Sequence, residues 1–157
     1  MSEVETEFLF EARVSLADPT HVGQTPEGYR MIVNILGGRF EGPKLSGSVL
    51  PMSGADWSRI RSDGSGALDV RMTLKTDDDA MIFVHWHGVM MFSPQEQPYA
   101  LDFAKPDDPA GAHRYYFRAS PRFETAEPKY AWLNNIISVT KSRTGSGGVI
   151  HRVFAVR

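Results

Sequence analysis

The stretch that decides the fold is Leu36–Ala80, LGGRFEGPKLSGSVLPMSGADWSRIRSDGSGALDVRMTLKTDDDA. Near its end, Leu68, Val70, Met72 and Leu74 alternate with Asp69, Arg71, Thr73 and Lys75. A side-chain period of two marks a strand with two different faces. Thr76-Asp77-Asp78-Asp79 then reads as a hairpin turn, and Ala80–Met91 (AMIFVHWHGVMM) returns as the longest and most apolar strand. Earlier in the stretch, Leu45–Leu50 alternates and stops at Pro51. Phe40-Glu41-Gly42-Pro43 reads as a bend, because glycines and a proline so closely spaced do not continue a ladder. Gly54–Gly66 reads as mostly loop, with one helical turn over Asp56–Ile60. The stretch also holds the densest set of chemically useful side chains: Asp56, Trp57, Arg59, Arg61, Asp63, Asp69 and Arg71.

Outward from here the pattern repeats. Phe8, Phe10, Ala12 and Val14 share one face of an N-terminal strand, and residues 1–7 before it are polar and expected to be disordered. Ala17-Asp18-Pro19 and Pro26-Glu27-Gly28 are turn signals, and Tyr29–Leu36 is a strand ending at Gly37-Gly38. Residues 93–111 carry Pro94, Pro98, Pro106 and Pro109 and form a long irregular loop of the kind used as a lid or binding loop. Arg114–Ala119, Tyr130–Val139 and Val149–Val156 complete the strands, with Phe123–Lys129 and Gly145–Gly148 as turns. The first and last strands are expected to close on each other. Regularly spaced strands with no amphipathic helix predict an all-β fold, a single antiparallel β-barrel over residues 1–157 in preference to a sandwich. A closed eight-stranded barrel has an interior that holds one small ligand.

Composition narrows the function. The chain has 157 residues, a net charge of −2 and an isoelectric point near 6.2, so it lacks the broad positive field that holds nucleic acid. It has no cysteine, which removes disulfides, zinc–thiolate sites and thiol nucleophiles, and fits a cytoplasmic setting. The N-terminus is acidic where a signal peptide is basic, and no apolar run reaches membrane-spanning length. A homo-oligomer is compatible with this composition.

The ordered series VG-TP-GYR (Val22 to Arg30), GGRFEGPKLSGSVLP (Gly37 to Pro51), GADW (Gly54 to Trp57), Arg61-Ser62-Asp63-Gly64, LDVR-TL-TDD (Leu68 to Asp78), YYFR-SPRFET (Tyr115 to Thr125) and YAWLN (Tyr130 to Asn134) resembles one family. It is the bacterial and fungal family called UPF0311 or DUF3237, of unassigned function. The resemblance implies a lipocalin-like (calycin-like) barrel with an internal cavity. The family pattern also implies glycine near Met52, Asp79 and Ala126, where this chain has none.

Several residues then become candidates for chemistry. Asp56 beside Trp57 reads either as a general base against an apolar wall or as the N-cap of a short turn. Asp69 and Arg71 share one face of their strand; turned inward they form a polar floor that holds a carboxylate or enolate, turned outward a surface ion pair. The resemblance to a ligand-holding barrel favours the inward reading. His85 and His87 share a face and suit acid–base work; two metal ligands without an adjacent third make a weak metal site, so none is expected. Trp57, Tyr115, Phe117, Trp132 and Asn134 are candidate walls of a ligand cavity. No phosphate loop and no nucleophile elbow is present, so no cofactor is expected and a hydrolase with a covalent nucleophile is disfavoured.

The expected function is binding of a small molecule, with Asp56, His85 and His87 handling protons in a cofactor-independent lyase, isomerase or cyclase acting on an aromatic or polyketide-like compound. The alternatives are a non-catalytic lipocalin-like carrier or sensor, and a structural protein with a filled barrel.

Overall fold

The computed structural model describes residues 3–157. Ten strands form one antiparallel sheet: β1 (Thr6–Leu16), β2 (Thr20–Thr25), β3 (Gly28–Glu41), β4 (Ser46–Val49), β5 (Ala55–Ile60), β6 (Gly66–Thr76), β7 (Met81–Met91), β8 (Tyr116–Glu124), β9 (Ile137–Gly145) and β10 (Gly148–Val156). The strand order is β8-β7-β6-β4-β3-β1-β10-β9. The β5 strand shares the lane of β4, pairing with β3 on one side and β6 on the other, and β2 is a flap on the far end of β3.

The alternation of Leu68–Lys75 decides the packing. Val70, Met72 and Leu74 are buried and join Phe10, Phe40, Ile82, Val84 and Val153 in one core. The β6–β7 hairpin runs in unbroken register from Gly66–Met90 to Lys75–Met81. As expected, β1 and β10 pair along their lengths. A register shift between Phe8 and Phe10, however, buries Leu9 with Phe10 and turns Phe8 to the other face beside Phe154, so Phe8 does not share the face of Phe10, Ala12 and Val14.

Several boundaries differ from the sequence reading, in most cases because tertiary pairing outweighs a local signal. Gly54–Gly66 is not a loop with a helical turn: Ala55–Ile60 is a strand held on both sides. The β3 strand passes straight through Gly37-Gly38 to Glu41. The YAWLN segment is a 3-10 turn over Pro128–Asn135, and β9 begins only at Ile137. The β8 strand runs on through Pro121 to Glu124. The N-terminal strand starts at Thr6, and the Glu5 carbonyl accepts from Arg157 N at 2.9 Å. Of the segment 1–7 expected to be disordered, residues 1 and 2 lie outside the described residues.

Two of the three expected glycine positions are left-handed in this chain: Met52 has φ 55° and Asp79 φ 71°. Ala126 has no positive φ. Between β4 and β5 the chain also needs a true glycine. A Cβ on Gly54 would stand 1.7 Å from the Arg71 carbonyl oxygen, so only hydrogen fits there.

The sheet curls until its edges, β8 and β9, meet. No backbone ladder joins them; side chains do. Ala119 N donates to Thr140 Oγ1 at 2.9 Å, Ser120 Oγ to the Ser138 carbonyl at 3.0 Å, and Ser138 Oγ to the Pro121 carbonyl at 2.5 Å. Ser138, Thr140, Ser142 and Thr144 form an inward row of buried hydroxyls, while Ile137 and Val139 of the same strand face out. The excursion over residues 93–111 folds across one end of this seam. Gly147 N donates to the Phe103 carbonyl at 2.8 Å, and Asp107 accepts two hydrogen bonds from Arg143 at 2.6 and 2.8 Å.

If hydroxyls stand in for a ladder, deleting one leaves a buried N–H unpaired. Thr140→Val is close in volume and removes the acceptor of Ala119 N, so the loss expected in urea unfolding is about 1–3 kcal/mol. A loss below about 0.5 kcal/mol, the level of a neutral surface change, would show that packing alone holds the edges together.

Candidate functional site

A pocket of about 450 Å³ lies against the inner face of the sheet. Its walls are apolar: Val33, Ile35, Leu68, Val70, Met72, Met90, Phe117 and Val149 from the strands, with Leu101 and Phe103 from the excursion. Among its polar members are Asp18, Asp56, Ser58, Trp86 and His151, and no lysine or arginine lines it.

Asp56 reaches the pocket through a gap in the sheet. The β5–β6 ladder is interrupted between Asp56/Val70 and Arg59/Ala67. Within the gap the Asp69 N–H turns to the Asp56 carboxylate, donating to Oδ1 at 3.1 Å, and the Trp57 carbonyl accepts from Arg30 NH1 at 2.7 Å. Asp56 therefore does not cap a turn; its side chain takes one rung of the ladder. Burial among apolar groups pushes its pKa from 3.8 up to about 6, reinforced by the Asp69 charge and opposed by the Asp69 N–H and Arg30. Asp56 is partly exposed and lines the pocket.

Across strands, Asp56 pairs with Val70 and Val70 with Trp86, so the three stand in one row. Two strand spacings of about 4.8 Å put the first and last about 10 Å apart. Trp86 is 3% exposed, and its Nε1–H is the buried side-chain polar atom with no hydrogen-bond partner among the described residues. His151 packs edge-on against Trp86 with ring centroids 4.9 Å apart. Its Nδ1 lies 2.7 Å from Ser142 Oγ, and that hydroxyl donates to Thr140 Oγ1 at 2.9 Å. With the serine proton committed to Thr140, Nδ1 carries the hydrogen and Nε2 is the ring's acceptor. Full burial lowers the His151 pKa from 6.5 to about 4, so the ring is neutral near pH 7.

Of the residues singled out from sequence, Asp56 and Phe117 line this pocket. Trp57, Asp69, Arg71, His85 and His87 do come together, but on the outer face of the sheet. The inward polar floor expected of Asp69 and Arg71 is thus corrected: Leu68, Val70 and Met72 hold the inner side of that strand. The same parity turns Trp86 inward and both flanking histidines outward. On the outer face His85 Nε2 lies 3.1 Å from Asp69 Oδ1, Arg71 NH1 3.6 Å from the same oxygen, and the Arg71 guanidinium 5.3 Å from the centre of the Trp57 ring. Tyr115 is buried in a network in which its hydroxyl accepts from Thr144 N at 2.8 Å. Trp132 and Asn134 sit on the 3-10 turn, where Asn134 pairs with both backbone groups of Thr125 at 2.8 and 3.0 Å. A shallower depression of about 410 Å³ lies nearby, but its Lys129 and Asp78 already pair at 2.6 Å.

Three residues of the pocket's chemistry escape the sequence reading: Trp86, His151 and Ser142. The signal was available for one of them. Cross-strand partners share a face, so matching Asp69 with His87 leaves Val70 with Trp86 on the apolar side.

The family described as "Protein of unknown function (DUF3237)" matches residues 4–156. The chain belongs to this family. A relative named "UPF0311 protein" from Rhodopseudomonas palustris is 38% identical over 130 residues, 83% of this chain and 82% of its own. A crystal structure of a conserved protein of unknown function from the same species is 31% identical over the whole of both chains, with a TM-score of 0.89. A protein described as "beta-barrel like" from Acinetobacter baumannii is 32% identical, covering 100% of this chain and 98% of that one, with a TM-score of 0.83. An enzyme from Penicillium herquei shares 19% identity and a TM-score of 0.70 over 100% of this chain and 97% of that one, a likeness of fold alone.

Two measurements check the site. An acid whose folded pKa is raised binds its proton more tightly in the native state, so it costs stability as pH rises from about 4 through about 6 and the cost persists above. Asp56→Asn keeps the acceptor for Asp69 N and removes that cost. The variant is expected to be on the order of 2 kcal/mol more stable than the parent at pH 8, with the gain gone near pH 4. An equal gain at both pH values would mean that the carboxylate's charge is not what the fold pays for.

The outer cluster brings ligand atoms of Asp69, His85 and His87 within 4.8 Å of one another, supplying from another strand the third donor that is absent nearby in sequence. Arg71 already offers Asp69 a counter-charge there. Untagged protein is accordingly expected to carry well below one equivalent of zinc, iron or manganese and to melt at the same temperature with or without EDTA. A full equivalent that disappears in the His85→Ala, His87→Ala double variant would identify a metal centre instead.

Proposed function

We propose that this protein is a cofactor-independent enzyme of the isomerase, lyase or cyclase kind that moves a proton on a small aromatic or polyketide-like molecule held inside a lipocalin-like barrel. The observation that carries this reading is Asp56, a carboxylate with its pKa raised to about 6, facing an apolar pocket of about 450 Å³. A desolvated carboxylate is a stronger base than one in water, and a pKa near the working pH suits proton transfer in both directions. The neutral imidazole of His151 lines the same pocket and offers a second group for hydrogen bonding or proton exchange. Asp56 keeps the role expected from sequence. Its partners in the reading become His151 and Trp86 rather than His85 and His87, which face outward.

The second reading is a carrier or sensor. It is favoured by how fully apolar the walls are, since such a pocket binds without needing any chemistry.

Deuterium incorporation separates the two. A panel of small aromatic and polyketide-like compounds is incubated with the protein in D2O, and mass gain is followed by mass spectrometry. An enzyme should exchange at least one compound at a rate that rises through pH about 6 and then levels, following ionisation of Asp56. Asp56→Asn should lower that rate by about a hundredfold or more while leaving binding nearly intact. Compounds that bind without exchanging at any pH would make the protein a carrier.

A further inference from the structure

The pocket's polar groups also specify what the ligand looks like, an inference that rests on the same pocket as the proposed function. We propose that the ligand is an uncharged ring compound bearing a carbonyl, and that its carbonyl oxygen accepts a hydrogen bond from the Trp86 indole N–H.

Three observations carry this. The first is charge. Among the described residues the pocket is lined by two carboxylates, Asp18 and Asp56, and by no lysine or arginine. An anionic ligand would bury its charge beside Asp56 with no cation to meet it, and burying an unpaired charge is the costliest event a pocket can host. Arg71, the cation that sequence placed at the floor, lies on the other face of the sheet, with its guanidinium over Trp57.

The second is an unmet donor. A buried polar group without a partner costs free energy, and native proteins satisfy nearly all of them. Trp86 is 3% exposed and lines the pocket, yet its Nε1–H bonds to nothing among the described residues. The Nε1 atom itself has almost no open surface, so a ligand oxygen becomes its partner through a small turn of the indole toward the pocket. An indole donates only, so that oxygen must be an acceptor. The third is spacing. Trp86 and Asp56 stand in one cross-strand row about 10 Å apart at the backbone with Val70 between them, so one ring lying over Val70 has the carboxylate at one end and the indole at the other.

This arrangement fits one reaction. The Asp56 carboxylate takes a proton from the carbon next to the carbonyl. The C–H electron pair becomes a C=C bond, and the carbonyl π pair moves onto oxygen, where the Trp86 N–H meets the growing negative charge. Returning the proton to the far end of a conjugated system isomerises the compound; returning it to the same carbon is silent exchange. Atoms and electrons balance without a co-reactant. His151, its Nδ1–H held by Ser142, has Nε2 as the acceptor for a ligand hydroxyl, so a hydroxy-ketone uses the site most fully. Ser142 is a positioning residue, since it acts through the imidazole.

The test uses two probes of one shape and different charge, 2-acetylnaphthalene and 2-naphthoate, on the full chain at pH 7.5. Binding is followed by the indole N–H resonances of 15N-labelled protein, with the Trp86 signal assigned by its loss in Trp86→Phe. The ketone is expected to bind at least tenfold more tightly than the carboxylate and to move the Trp86 resonance. Trp86→Phe should weaken the ketone by about tenfold while leaving naphthalene itself unaffected. Deuterium uptake at the acetyl methyl is measured in the same samples. Ketone binding with a shifted Trp86 resonance but no uptake would support the ligand class and pose while removing catalysis from the reading. Equal or tighter binding of naphthoate, no binding of the ketone, or an unmoved Trp86 signal would overturn the inference, whether or not any compound exchanges. If Trp86→Phe does not fold, the resonance is assigned instead by contacts to the His151 ring protons of the parent.

Discussion

Closing the curled sheet at its β8–β9 edge is the constraint on which the rest depends. Two strand edges that meet without a backbone ladder leave N–H and C=O groups to be satisfied by something else. Here the something else is a row of buried hydroxyls on β9, with Thr140 and Ser138 bonding across to Ala119 and Pro121. A row of hydroxyls pointing inward has a second effect. It puts Ser142, directly opposite His151 in the β9–β10 ladder, behind the one imidazole of the pocket wall. The element that closes the sheet thereby fixes the tautomer of a candidate catalytic base. At the end of the same row, Thr144 bonds to the Ala100 carbonyl and receives Lys105, tying down the excursion that covers part of the pocket.

Asp56 shows the same economy in a second place. Interrupting the β5–β6 ladder would strand backbone groups, and the Asp56 carboxylate and the Arg30 guanidinium each take one of them. The carboxylate is therefore built into the wall and has little freedom to leave it. Holding it there works against stability, because its charge is stripped of water and the Asp69 N–H and the Arg30 charge compensate only in part. Groups of this kind accumulate where chemistry is done, since a site tuned for proton transfer is seldom the most stable arrangement available.

Much of the fold was legible in the sequence because alternation and turn residues are local signals. Leu68–Lys75 and its return through Ala80–Met91 announce a hairpin, and the hairpin is there in register. What failed was the choice of face and the reading of inverted strands. In β7 both faces carry large apolar groups, with Phe83 39% exposed and Ile82 fully buried, so hydrophobicity alone cannot say whether Trp86 or its flanking histidines point inward. In β9 the usual rule is reversed: Ser and Thr are buried while Ile137 is half exposed, because these hydroxyls replace a ladder. That need arises only once the sheet has curled, and no window of local sequence records it. Asp56 was found because an acid beside a tryptophan is conspicuous, whereas His151 sits in an ordinary apolar strand and becomes significant only through its neighbours across the pocket.

Two titratable groups of the pocket, Asp56 and His151, are shifted in opposite senses, and their effects on the whole molecule offset each other. Between pH about 4 and about 6 the unfolded chain holds an ionised Asp56 and a protonated His151, a pair of zero net charge. The folded protein in that window holds a protonated Asp56 and a neutral His151, again of zero net charge. Proton uptake by one group on folding is matched by proton release from the other, so this pair gives stability little slope with pH across the range. Above pH about 6 the balance changes. The acid ionises in both states and its burial cost stays in full, while the imidazole is neutral in both. The carboxylate is thus ionised, as the proposed base, at the pH where its stability penalty is complete, and is protonated below pH about 6 without a compensating drop in stability from this pair. The proposed proton transfer and the stability of the fold would consequently be governed by different parts of the same titration, and a change at Asp56 alone uncouples them by leaving the His151 contribution, which falls as pH drops from about 6.5 toward about 4, with nothing to oppose it.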